Sequence, residues 1–176
     1  MNISDINIHY LKDDGIYPNN ARLPLLVYQQ VIELPVHDPA SRVEALFVGH
    51  HWHNSWRNGV YSFHHYHSAA HEVLGVYSGS ATVQLGGDNG VTVTIKPGDV
   101  LLIPAGVAHK NLGASRDFGL VGAYPQRQHP DMCYGKPGER PQADDRIAAV
   151  PLPQSDPVFG ATGPMHTYWT DIHTGT

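Results

Sequence analysis

Apolar positions alternate with polar ones through the middle of the chain. Ala81, Val83 and Leu85 are spaced by two, as are Val91, Val93 and Ile95 after the turn GGDNG, and Glu72, Leu74 and Val76 share one parity ahead of them. A period of two places such residues on one face of a strand, so this stretch predicts a series of hairpins. Pro97-Gly98-Asp99 turns into the unbroken apolar run Val100 to Ile103, and Pro104-Ala105-Gly106 turns again before a strand with His109 and Asn111. Gly119 to Tyr124 predicts the last core strand. Upstream, Val60 to His67 also alternates, with Tyr61, Phe63, His65 and His67 on one face and Ser62, His64 and Tyr66 on the other. Many short strands separated by turn signals predict an all-β fold, a closed barrel or a sandwich.

The two flanks have other textures. Short apolar runs at Leu25 to Tyr28 and Val31 to Leu34, among Pro, Asn and Gly, predict an arm with one or two strands that needs a sheet edge or a second subunit to cover it. Asp38-Pro39 is an N-cap followed by proline in the first helical turn, and Val43, Leu46 and Phe47 have helical spacing, so one short helix is expected over Pro39 to Val48. After Pro125 recurrent prolines exclude a long helix or a central strand. Aromatic and apolar residues in that tail, Tyr134, Phe159 and Trp169 among them, predict that it wraps back on the barrel. The expected organisation is one domain over 1–176, with an arm (1–58), a barrel core (59–125) and a packed tail (126–176).

A formal charge of -5, with basic residues scattered, lacks the electrostatic footprint of a nucleic-acid binder. Cys133 is the single cysteine and cannot pair within the chain, and there is neither a basic-then-apolar leader nor an apolar run of ~20 residues. A cytoplasmic protein without membrane or nucleic-acid partners is expected, with Cys133 a packed thiol.

Seven of the 13 histidines fall between His50 and His71. His65 and His67 are two apart on one predicted face, and Glu72 follows after a short turn, so two imidazoles and a carboxylate can close on one divalent ion. His109 is the candidate fourth ligand. The bland alternative for these four is a set of barrel-lining polar residues that hydrogen-bond one another. His64 and His71 have the opposite parity and are expected at the surface or an interface. His50, His51 and His53 are expected in a loop with Trp52, Trp56 and Arg57, and Tyr61 and Phe63 inside the barrel.

Taken together, these residues resemble the cupin family. Gly59, His65, His67, Glu72 and Gly79 fill the first cupin motif, G-x5-HxH-x3,4-E-x6-G, and Gly98, Pro104, Gly106 and His109 fill the second, G-x5-PxG-x2-H-x3-N, up to its last place. There Gly113 stands where the asparagine is expected, and Asn111 lies two residues earlier. More loosely, WRNG before the first motif and CYGKPGERP after the barrel are similar to the YjlB-type cupins. The resemblance implies a small jelly-roll barrel, a metal inside it on His65, His67, Glu72 and His109, and a homodimer.

Three imidazoles and one carboxylate suit Mn, Fe, Co, Ni or Zn. On an octahedral ion they leave two positions for water or a small molecule, whereas a tetrahedral zinc would be closed. Two functional readings stand side by side. One is a metal-dependent enzyme on a small oxygen-rich molecule, of dioxygenase, isomerase or decarboxylase type. The other is a non-catalytic binding or sensing protein with a structural metal.

Overall fold

The computed structural model describes residues 6–171, so the outer ends of the arm and tail, 1–5 and 172–176, lie outside the described residues. Among the described residues, nine strands form two antiparallel sheets. They are β1 (Ile6–His9), β2 (Leu25–Tyr28), β3 (Trp52–Asn58), β4 (Glu72–Ser78), β5 (Ala81–Leu85), β6 (Val91–Ile95), β7 (Val100–Ile103), β8 (His109–Ala114) and β9 (Gly119–Pro125). The larger sheet has the order β1-β2-β7-β4-β9-β3, the smaller β6-β5-β8. This is the all-β jelly roll expected from the sequence.

The two sheets differ in the way their sequences differ. In β5 and β6 the inward residues Val83, Leu85 and Ile95 alternate with partly exposed threonines and Gln84, the pattern of strands with one wet face. By contrast β2, β7 and β9 are buried at every position. Their unbroken apolar runs match a sheet covered on both sides. Inside, Val27, Leu74, Leu101 and Leu120 meet the smaller sheet's Val83 and Leu85. Outside, Tyr28, Val73 and Leu102 pack against the helix and the tail.

The helix α1 runs over Pro39–Gly49, one residue beyond the expected end, and the Asp38 side chain accepts from the Ser41 N–H at its start. It rests on β4 at Gly75, where a Cβ would lie 2.7 Å from Val43 Cγ1 and 2.8 Å from the Phe47 ring. The arm supplies two strands, but Val31 to Leu34 is not the second. Val31 and Ile32 both donate their N–H groups to the Gly98 carbonyl, at 2.9 and 3.2 Å, and β1 takes the strand position instead. The arm finds a sheet edge within its own chain, since β2 pairs with β7.

The tail contains α2 (Gln142–Ala149) and α3 (Pro164–Tyr168) and packs back as expected, with Val158, Met165 and Trp169 in the outer core. One fully buried carboxylate fastens it. Asp156 Oδ1 accepts from the Val158 and Phe159 N–H groups at 2.8 and 3.0 Å, and Oδ2 accepts from the Tyr28 hydroxyl at 2.8 Å and the Met165 N–H at 3.2 Å.

Candidate metal centre

The segment carrying His65 and His67 is not the strand its alternation predicts. The chain leaves β3, the edge of the larger sheet, and passes β8, the edge of the smaller one, before it returns as β4. It therefore pairs only where it crosses. His65 exchanges backbone bonds with His109 at 2.9 and 3.2 Å, and Tyr66 does so with Cys133 of the tail at 2.9 Å each way. Tyr61 and Phe63 also depart from expectation. They are 52% and 44% exposed and stacked on each other at 4.9 Å, because the crossing segment carries them past the open end between the sheets.

Despite this, His65, His67 and His109 converge. All three are buried, each offers one ring nitrogen, and these nitrogens lie within 4.8 Å of one another, an arrangement able to hold a metal ion. Glu72 enters from β4, buried, with Oε2 3.1 Å from His109 Nε2 and 3.3 Å from His67 Nε2. That oxygen has no aligned hydrogen bond in spite of these short distances.

The outer ring nitrogens explain this. His65 Nδ1 faces the Phe63 carbonyl at 3.2 Å, His109 Nδ1 the Val107 carbonyl at 3.1 Å, and His67 Nδ1 the Asp131 carbonyl. A carbonyl only accepts, so each Nδ1 carries a hydrogen, and a ring turns an Nε2 lone pair inward when neutral and an Nε2–H when protonated. Inward lone pairs beside a carboxylate oxygen repel one another unless a proton or a cation lies among them. Burial pushes His65 down to about 3, helped by His109, so it stays neutral. Burial works against the charge on His67, but the Glu72 carboxylate overcomes it and raises His67 to about 9. Glu72 in turn is held below the usual carboxylate range, burial being outweighed by His67 and His109. The three imidazoles thus form a set able to hold a metal ion, with the Glu72 carboxylate beside two of them.

Asp131, not recognised in the sequence, holds the His67 end. Besides its carbonyl, its side chain accepts from the Ser68 and Ala69 N–H groups at 2.6 and 3.0 Å and bonds the Ser68 hydroxyl. Arg146 of α2 donates to that hydroxyl at 2.7 Å. Cys133 is buried beside them, the packed thiol expected. At the end of the second motif Asn111 Oδ1 accepts from the Gly113 N–H at 2.8 Å, so the asparagine and the glycine form one local turn.

The other histidines sort as follows. His64 meets Asp88 at 2.9 Å, outside the site. His53 lies in β3 and not in a loop. His71, expected at the surface, is 1% exposed, because its face of the chain is covered by Trp169, whose ring lies 4.8 Å away. Its Nδ1 accepts from the Ala105 N–H at 2.9 Å, so protonation there would set donor against donor. Burial accordingly lowers His71 from 6.5 to about 3. Below pH 6.5 the unfolded chain binds a proton that the folded one refuses. Stability from this residue is therefore complete above 6.5 and is lost as pH falls towards about 3, by up to about 1.4 kcal/mol per pH unit. A His71→Gln variant is expected to show a shallower decline of urea-unfolding free energy between pH 6 and 4. Equal slopes in the two proteins would contradict this account.

Above the histidines a cavity of about 320 Å³ opens, lined also by Trp56, Val60, Tyr61, Leu74, Tyr124 and Met132. Trp56 and Tyr124 were not identifiable as site residues from the sequence. They stand on the neighbouring strands β3 and β9, Trp56 opposite Gly122, and the indole Nε1–H donates to the Tyr124 hydroxyl at 2.9 Å.

Comparison with known proteins gives four likenesses. The family described as "Cupin domain" matches residues 56–116. The chain is 40% identical over 161 residues to "Uncharacterized protein YjlB" of Bacillus subtilis (strain 168), covering 92% of this chain and 94% of that protein. Among solved structures it is similar to an acireductone dioxygenase of Bacillus anthracis with a cadmium ion in its active centre, at 12% identity and a TM-score of 0.40, over 72% of this chain and 82% of that one. It is also similar to procruciferin, an 11S globulin of Brassica napus, at 20% identity and a TM-score of 0.37, over 72% of this chain; it spans only 26% of that globulin.

Proposed function

Since the chain belongs to the cupin family and within it to the YjlB type, we propose that it binds one divalent transition metal through His65, His67, Glu72 and His109 and uses it on a small molecule. The observation that carries this is the set of inward nitrogens around the unpartnered Glu72 oxygen. When bound, the ion, one of Mn, Fe, Co, Ni or Zn, supplies Lewis-acid polarisation of a ligand oxygen. The chain's own residues do the rest. The backbone carbonyls of Phe63, Val107 and Asp131 fix the imidazole tautomers, and Trp56, Val60 and Leu74 keep water from the cavity wall. The reaction classes that fit are dioxygenase, isomerase and decarboxylase.

A second reading, binding or sensing without turnover, is favoured by one feature of the cavity. Among its lining residues there is no carboxylate or imidazole beyond the four proposed ligands to move a proton. The proposal includes a single domain made of arm, barrel and tail, a cytoplasmic setting supported by the lone buried cysteine, and a homodimer. The dimer is supported by β1, which pairs only with β2 among the described residues and so offers an open sheet edge. Among the described residues no helix is long and apolar enough to cross a membrane.

Elemental analysis of protein purified without added metal or an affinity tag tests the centre. About one equivalent of a transition metal per chain is expected, lost in the His65→Ala, His67→Ala double variant. No metal, or equal metal in both proteins, would overturn the ligand assignment.

A further inference from the structure

The cavity has a polar floor and apolar walls. The floor is the four proposed ligands; the walls are Trp56, Val60, Leu74, Tyr61 and Met132. Two polar side chains that could have served a hydroxyl-rich ligand are engaged, Arg57 through its donors and Asn58 through its acceptor oxygen. The Arg57 guanidinium donates to both Glu44 oxygens at 2.7 and 2.8 Å and to the Ser41 hydroxyl at 3.0 Å, and Asn58 Oδ1 accepts from the Gly59 N–H. The Tyr124 hydroxyl accepts from Trp56, and the Glu72 carboxylate lies on its other side. A sugar or polyol in such walls would leave most of its hydroxyls unpaired, at a cost of ~1–3 kcal/mol for each buried group.

The apolar surface is built, not incidental. Gly122 has no side chain, and a Cβ there would lie 2.3 Å from the Trp56 indole. The bare backbone of β9 is what allows the ring to approach so closely beside the cavity, and the indole N–H is held by the Tyr124 hydroxyl. At the mouth, Tyr61 and Phe63 form a stacked and exposed aromatic pair, with the exposed Met132 also at the rim. Apolar surface thus continues from Leu74 to solvent, the mark of a surface that meets an apolar group. At ~30 Å³ per water-sized group the space holds roughly ten non-hydrogen atoms. A divalent ion with one carboxylate carries a net single positive charge, which a monoanion neutralises.

Resting on the metal reading above, we infer that the site takes a small monoanionic chelator whose two neighbouring oxygens are carried by a flat apolar body, an aryl or unsaturated acyl group, and not a sugar or polyol. The oxygens reach the floor, and the body lies between Trp56 and the Tyr61 rim.

Acetohydroxamate and benzohydroxamate present the same chelating head on a methyl and on a phenyl body. Calorimetric titration of each into Mn-loaded protein, into metal-stripped protein and into a Mn-loaded Tyr61→Ser variant tests the inference, with metal retention checked afterwards. Metal-dependent binding with at least a tenfold preference for benzohydroxamate is expected, and a smaller preference in the Tyr61→Ser protein. Metal-dependent binding of both at equal affinity overturns the apolar class and leaves the metal reading intact. A phenyl preference that persists unchanged in the stripped protein overturns chelation, and binding of neither to loaded protein overturns both.

Discussion

Replacing Asp156 by alanine is expected to destabilise the protein by about 3–5 kcal/mol, since several buried donors lose their acceptor at ~1–3 kcal/mol each. The substitution leaves the Tyr28 hydroxyl and the N–H groups of Val158, Phe159 and Met165 without their acceptor in a dry setting. At about 2–4 °C per kcal/mol for a chain of this size, the melting temperature should fall by roughly 6–20 °C. Asp156→Asn keeps one acceptor oxygen and should fall between the two. Tyr28→Phe removes a single donor and should cost only ~1 kcal/mol. A melting temperature of Asp156→Ala within about 2 °C of the parent would show that the tail is fastened elsewhere.

Metal should have an effect of similar size in the opposite direction. Cation binding to the folded chain alone, at a thousandfold excess over its dissociation constant, contributes ~4 kcal/mol. That corresponds to a rise of roughly 8–16 °C between stripped and loaded protein. The physical source is the relief of the unpaired Glu72 oxygen and the inward imidazole nitrogens. In Glu72→Gln the stripped protein should melt close to the stripped parent, while most of the metal-induced rise disappears. Identical melting of stripped and loaded parent protein, measured by scanning calorimetry, would remove the metal from the centre.

The sequence shows those features whose cause is local. The alternation of β5 and β6, the apolar runs of β2, β7 and β9, and the Asp38-Pro39 start of α1 follow from neighbours a few residues apart. So does the spacing that brings His65 and His67 to one side. The misreadings have a common origin in partners distant along the chain. Val60 to His67 alternates like a strand, yet strand pairing requires a second strand alongside, and this segment only touches β8 and the tail in passing. His71 has the parity of a solvent face, but Trp169, some hundred residues later, covers it. Tyr61 and Phe63 are apolar enough for a core and instead border the cavity mouth. Nothing near Trp56 in sequence announces Tyr124, since the two meet only because β3 lies beside β9.

The clasp formed by Asp131, Ser68 and Arg146 behind His67 lies partly beyond the segment that matches the cupin domain. The match to known cupin domains ends at residue 116, whereas the carbonyl that fixes the His67 tautomer belongs to residue 131 and the arginine that braces the loop to α2. The inheritable signature and the working unit therefore have different borders. Transplanting 56–116 into another barrel would carry all three clustered histidines and leave His67 without the Asp131 carbonyl that orients it.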